Sequence, residues 1–172
     1  MRTEGRGAPD ADAPWNEIVP GLWMGGHHYR DATGARAAAV PDARFDLVLS
    51  LYERAGHGPD PGVEHHCTVI PDDPLTPAQI QVVLDMAERA AHAVRGGRQV
   101  LVRCHSGYNR SGLVVAHALT LLGHDAADAI FLVRYRRSRW ALNNRTFEEY
   151  LTAGLDVAHL LTGLEEQPPA AT

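Results

Sequence analysis

Val102-Arg103-Cys104-His105-Ser106-Gly107-Tyr108-Asn109-Arg110-Ser111-Gly112 decides the reading of this chain. Gln99 to Arg103 has strand length and runs into a cysteine. Five residues follow, and Arg110 then opens an apolar run from Ser111 to Leu122. A helix this apolar is buried on nearly all sides, so the loop is pinned between a buried strand and a buried helix. Loop amides and a helix N-terminus that converge on one point attract an oxyanion, and the same field favours a thiolate on Cys104. Arg110 brings a planar fork that matches two phosphate oxygens, as lysine cannot. Gly107 is expected where a side chain would collide with the bound anion. Ser111 stands beside the cradle, placed to hydrogen-bond the cysteine sulfur. A Cys and an Arg six apart are a weak signal; the strand, the helix, the Gly and the Ser around them make it specific.

Outward from this stretch, strands and helices alternate. Glu17-Ile18-Val19 and Leu22-Trp23-Met24 flank the turn pair Pro20-Gly21 and read as a hairpin. Phe45 to Leu51 and Val63 to Ile70 are strand candidates, the second ended by Pro71. Thr76-Pro77-Ala78-Gln79 announces a helix with threonine as N-cap, proline at the first position and glutamine at the third. Its apolar residues recur at helical spacing until Gly96-Gly97. Asp125 caps a helix reaching Arg137, and Arg145 to Leu161 reads as one last helix. This order predicts an α/β fold, a central mostly parallel sheet flanked by helices. Residues 15–162 form the expected domain, with disordered tails at 1–14 and 163–172.

At 172 residues the chain suits one domain of roughly 100–200 residues. Apolar content of 45% and charged content of 22% exclude wholesale disorder. All sixteen basic residues are arginine, which reads as compositional drift. A net charge of −5 argues against nucleic acid as the main partner. Two cysteines suit a reducing compartment. The N-terminus lacks the apolar core of a signal peptide, and no run approaches the ~20 residues of a membrane span. A cytoplasmic protein with no membrane partner is expected.

The cradle resembles the C-x5-R signature of the protein tyrosine phosphatase superfamily, particularly its dual-specificity branch. Ile18 to Gly25 looks like the opening strands of that branch, and Leu132 to Ser138 with Phe147 to Leu151 like its closing helices, so residues 16–160 are covered. The resemblance implies a phosphatase that hydrolyses phosphate monoesters, in phosphotyrosine, phosphoserine or phosphothreonine of protein, through a phospho-cysteine intermediate. Cys104 would be the nucleophile. Arg110 would bind phosphate with His105, Ser106, Gly107, Tyr108 and Asn109, and Ser111 would stabilise the leaving sulfur. The general acid falls in Ile70-Pro71-Asp72-Asp73-Pro74; Asp72, 32 residues before Cys104, is preferred over its neighbour Asp73. One departure is Arg103, where the family has a histidine that supports the loop; Arg103 is expected to hydrogen-bond carbonyls behind the cradle. No cofactor and no metal are expected. Two alternatives stand beside the phosphatase reading. Gly107 to Gly112 is similar to the loop of RNA 5′-triphosphatases, and a catalytically silent phosphate-binding module would keep the same cradle.

Other candidates get plainer readings. Cys67 reads as a buried small hydrophobe, with a reversible disulfide to Cys104 as the alternative. His27-His28 and His65-His66 lack metal-ligand spacing, and His117 sits inside an apolar helix as a core residue. Arg134, Arg136, Arg137 and Arg139 read as a solvated helix end.

Overall fold

The structure, a computed structural model, describes residues 4–166. Its sheet has five strands: β1 (Trp15–Val19), β2 (Leu22–Gly25), β5 (Leu47–Ser50), β6 (Glu64–Cys67) and β7 (Val100–Arg103), in the order β1-β2-β7-β5-β6. β1 and β2 are the antiparallel hairpin turned at Pro20-Gly21, where Gly21 has φ +86°. All other neighbours are parallel. A small separate hairpin, β3 (His28–Arg30) and β4 (Arg36–Ala38), was not foreseen; three residues per strand are too few to show an alternation.

Five helices complete the α/β fold: α1 (Pro77–Arg95), α2 (Arg110–Leu121), α3 (Ala126–Arg136), α4 (Arg145–Ala153) and α5 (Leu155–Glu165). Thr76 caps α1 with a full capping box to Gln79, and Asp125 caps α3 through the N–H of Asp128. The single last helix expected from Arg145 is two, because Gly154 adopts φ +96° and ψ 133° and breaks the ladder. Helix α5 continues to Glu165, past the expected boundary at 163, and residues 167–172 of that tail lie outside the described residues.

The N-terminal segment also departs from expectation. Residues 8–14 lie against the domain: Ala11 is buried, its carbonyl accepts from Arg30 N, and Tyr108 Oη donates to Pro9 O at 2.7 Å. Its polar backbone groups find partners in the fold, which a Gly- and Pro-rich composition does not reveal.

Side chains alternate across the central strands. Leu22, Met24, Leu47, Leu49, Val100 and Val102 face the core shared with the helices, while Val48 and Leu101 join Phe45, Trp15 and Trp23 on the other face. Helix α2 is buried along most of its length. Leu113, Val114, Val115 and Leu119 have no exposure, each worth ~1.5–3 kcal/mol of burial. Val100, Leu101 and Val102 of β7 are equally buried, so the loop between β7 and α2 is anchored at both ends. Among the described residues no helix is long and apolar enough to cross a membrane.

Candidate active site

Cys104 follows β7 and its side chain is buried, with Sγ 3.3 Å from Ser111 Oγ in the first turn of α2. Arg110 is the first residue of α2. Its guanidinium donates from Nη1 to Ile70 O at 3.2 Å and lies 5.4 Å over the Tyr52 ring. Its Nε is buried and has no hydrogen-bond partner among the described residues. A buried donor left unmatched costs ~1–3 kcal/mol, so this atom awaits an acceptor. His105 is buried with its ring edge-on to Tyr52 at 4.8 Å and to His28 at 4.7 Å, forming one wall of the cradle.

Gly107 has the positive φ, +74°, that a glycine tolerates. The expected reason, collision with the anion, is replaced by another. A Cβ here would lie 2.5 Å from Gly25 C and 2.6 Å from Arg137 Nη2, so the loop's outer side is what admits no side chain.

Asp72 is brought to the cradle by an asparagine cluster. Its Oδ2 accepts from Asn109 Nδ2 at 2.9 Å and its Oδ1 from Asn144 Nδ2 at 2.7 Å. Asn144 also donates its backbone N–H to Asn109 Oδ1 at 3.0 Å and caps α4, accepting from Thr146 N and Phe147 N. One buried residue thus joins the loop of Asp72, the cradle and α4, through its side chain to Asp72 and α4 and through its backbone N–H to Asn109. Asn109 Nδ2 further donates to Asn143 Oδ1 at 2.7 Å. Asn143 and Asn144 were missed from sequence, though an asparagine immediately before Arg145-Thr146-Phe147 carries an N-cap signal. Arg6 reaches the same loop, donating to Asp72 O at 2.8 Å with its Nε 3.6 Å from Oδ1. Asp73, the rival acid, is half-buried beside it.

Arg103 is 2% exposed. Contrary to expectation it does not hold carbonyls behind the loop; its Nε donates to Ser50 Oγ at 2.9 Å, and Ser50 Oγ lies 2.9 Å from His65 Nε2. Strand register explains this. Ser50 pairs with both Arg103 and Cys67, so these three side chains share the face away from the helices, and Cys104, one residue on, turns to the helix side. Burial pulls the guanidinium down to about 10, still charged at neutral pH. The same register corrects the reading of Cys67, which is exposed at the end of edge strand β6. It lies two strands away from β7 and on the opposite face from Cys104, a placement that a disulfide cannot span. Partial desolvation, helped by Glu53, pushes its thiol up.

Among the arginines assigned to a solvated helix end, Arg137 is 7% exposed. It donates from Nε to Gly107 O at 3.1 Å, from Nη1 to Ala13 O at 2.7 Å and Asn16 Oδ1 at 2.9 Å, and from Nη2 to Ser106 O at 3.5 Å. Burial lowers it to about 10 while the Cys104 sulfur and Tyr108 work the other way, so it places a full positive charge under the cradle. Arg134 is half-buried, bonded to Ala141 O, Leu142 O and Glu148. Arg136 and Arg139 are exposed as expected. His117 is half-buried with Nδ1 3.3 Å from Thr120 Oγ1, and burial lowers it.

The five-stranded, mostly parallel sheet and its helices have the fold of the dual-specificity phosphatases. The chain is similar to human DUSP28 (TM-score 0.67, 22% identity, covering 91% of this chain and 99% of that one). It is similar also to a mouse putative dual specificity phosphatase complexed with zinc tungstate (0.62, 24%, 96% and 96%), and to PTPMT1 (0.57, 17%, 88% and 97%). No protein-family model matches the sequence, and the search of curated proteins found no relative.

Proposed function

We propose that this protein is a cysteine-dependent phosphatase acting on phosphate monoesters. The observation that carries the reading is the buried, unpartnered Nε of Arg110 at the mouth of the loop that holds Cys104 and Ser111. In the reaction, Cys104 Sγ attacks phosphorus in line as the ester P–O bond breaks, and Arg110 binds two equatorial oxygens. Asp72 gives its proton to the departing oxygen. The resulting carboxylate then takes a proton from the water that attacks the phospho-cysteine. As the S–P bond breaks, Ser111 Oγ–H hydrogen-bonds the sulfur and phosphate leaves. Phosphorylated tyrosine, serine or threonine in protein is the substrate class that the similarity to dual-specificity phosphatases favours.

One observation bears on a second reading. Both oxygens of Asp72 already accept asparagine N–H groups, so one lone pair on each is left to carry the proton that a departing alkoxide or phenolate takes. A 5′-triphosphate end of RNA has a polyphosphate leaving group that needs no proton, and for such a substrate that lone pair is not called on. A hydrolysis panel decides: an aryl phosphate, phosphotyrosine, phosphoserine and phosphothreonine peptides, a phosphoinositide and a triphosphorylated RNA. Turnover of the peptides supports the first reading, preference for the RNA the second. A protein that binds oxyanion and turns over none of them is a silent phosphate-binding module.

A further inference from the structure

The loop works as an anion site only if its N–H groups point inward. In a planar trans peptide the N–H of one residue points opposite to the carbonyl of the residue before it, and no cis bond occurs among the described residues. What holds each carbonyl therefore decides where the next amide aims. Cys104 O lies 2.9 Å from His27 Nδ1, and His105 O accepts from His27 N at 2.9 Å. Ser106 O and Gly107 O accept from Arg137, and Tyr108 O from Leu142 N at 3.1 Å. Five successive carbonyls are drawn outward, and the amides of residues 105–109 turn to the other side. No backbone carbonyl among the described residues takes the amides of Ser106, Gly107, Tyr108 or Asn109.

We propose that His27 is a positioning residue for the nucleophile's loop: by holding two successive carbonyls, one through its ring and one through its backbone, it aims the amides of His105 and Ser106 into the anion site. The inference rests on the phosphatase reading for the identity of the anion. His27 stands 77 residues before Cys104 and is 1% exposed. Its ring is fixed by a stacked His57 at 5.8 Å and an edge contact with Tyr52 at 5.2 Å. His57 Nδ1 lies 3.0 Å from the His27 carbonyl. The backbone bond needs Gly26, where a Cβ would come within 2.9 Å of His105 O. Burial, with Arg103, His57 and His105 nearby, keeps the ring neutral, at about 4 instead of 6.5. A neutral ring carries one N–H, and an acceptor at Nδ1 assigns it there. Arg103, which occupies the place just before the nucleophile, faces the other side of the sheet, so this support comes from elsewhere in the chain.

Tungstate affinity, with kcat and KM for an aryl phosphate, tests the assignment in three proteins. His27→Leu keeps side-chain bulk without a donor, and His27→Asn places an amide N–H at the Nδ1 position. The Leu variant should bind tungstate about tenfold more weakly, the effect of ~1.4 kcal/mol, with KM raised in step. The Asn variant should recover to within about threefold. Leu binding like wild type, or Leu and Asn losing equally, overturns the donor role. Should Leu not fold, His27→Gln replaces it, because its amide lies at the Nε2 position; Gln must then lose what Asn keeps, and equal affinity overturns the proposal. Wild-type protein that binds tungstate but hydrolyses no phosphate ester refutes the phosphatase reading and leaves the His27 test intact; wild type that binds none refutes both.

Discussion

Replacing Arg137 by lysine separates two roles that the structure gives one side chain. The guanidinium ties the cradle, at Gly107 O and Ser106 O, to the segment before β1, at Ala13 O and Asn16 Oδ1. Lysine keeps the charge but presents one compact ammonium, which satisfies one side of this bridge and not both. Two acceptors are then left short in a buried place, at ~1–3 kcal/mol each, so a loss of about 2–6 kcal/mol is expected. Against a total of ~5–15 kcal/mol for a domain this is severe, and at ~2–4 °C per kcal/mol it lowers Tm by roughly 4–24 °C. The second role is read by urea unfolding with and without tungstate. At 100 times Kd a ligand adds ~2.7 kcal/mol. A tenfold weaker cradle loses about half of that increment at the same tungstate concentration. An unfolding midpoint equal to wild type would show that the buried hydrogen bonds contribute nothing and refute the accounting. A lowered midpoint with the full tungstate increment would show that Arg137 anchors the N-terminal segment alone.

Cys104→Ser should abolish aryl phosphate hydrolysis while tungstate affinity stays within a few-fold, since Arg110 and the loop amides remain; steady turnover by this variant would refute a covalent sulfur intermediate. Asp72→Asn should lower kcat by roughly 10²–10⁴ for a poor leaving group and much less for an acidic phenol, with Asp73→Asn the weaker of the two; the reverse order in kcat assigns the acid to Asp73. The pH dependence of stability should carry the mark of His27. Its folded value of about 4 lies below 6.5, so the unfolded chain binds more protons between the two. The stabilisation is complete above 6.5 and fades as pH falls towards 4, with about 2 kcal/mol gone at pH 5. The urea midpoint should therefore drop less between pH 7 and 5 in His27→Asn than in wild type, and equal drops would show that His27 does not titrate as its burial requires.

Much of the fold is local and so was legible. The Thr76 capping box, the Asp125 cap and the Pro20-Gly21 turn each draw on hydrogen bonds or backbone preferences within a few residues. The cradle is local too: the end of a strand, five residues and the start of a helix place Cys104, Arg110 and Ser111 together by chain geometry alone. Gly154 was legible in principle, as a glycine inside a helical pattern, and splits what reads as one helix.

The supports of the site were not legible, because the burial of a polar side chain is decided by partners distant in the chain. Arg137 reads as one more arginine at a helix end until Ala13, Asn16 and Gly107 close around it. His27 is half of an unremarked His-His pair until the parallel pairing of β2 with β7 sets it beneath Cys104. Asn144 is a helix cap whose second duty, holding Asp72, exists only once α4 packs beside the acid loop. The face of Arg103, opposite to Cys104, follows from strand alternation, but its partner Ser50 and the exposed place of Cys67 follow from strand register, which links residues 36 apart across three strands. The candidate groups for the chemistry could be picked out along the chain, because they are residue types at close spacing. What holds them in aim follows from packing, since a buried donor takes whichever acceptor the fold leaves within reach.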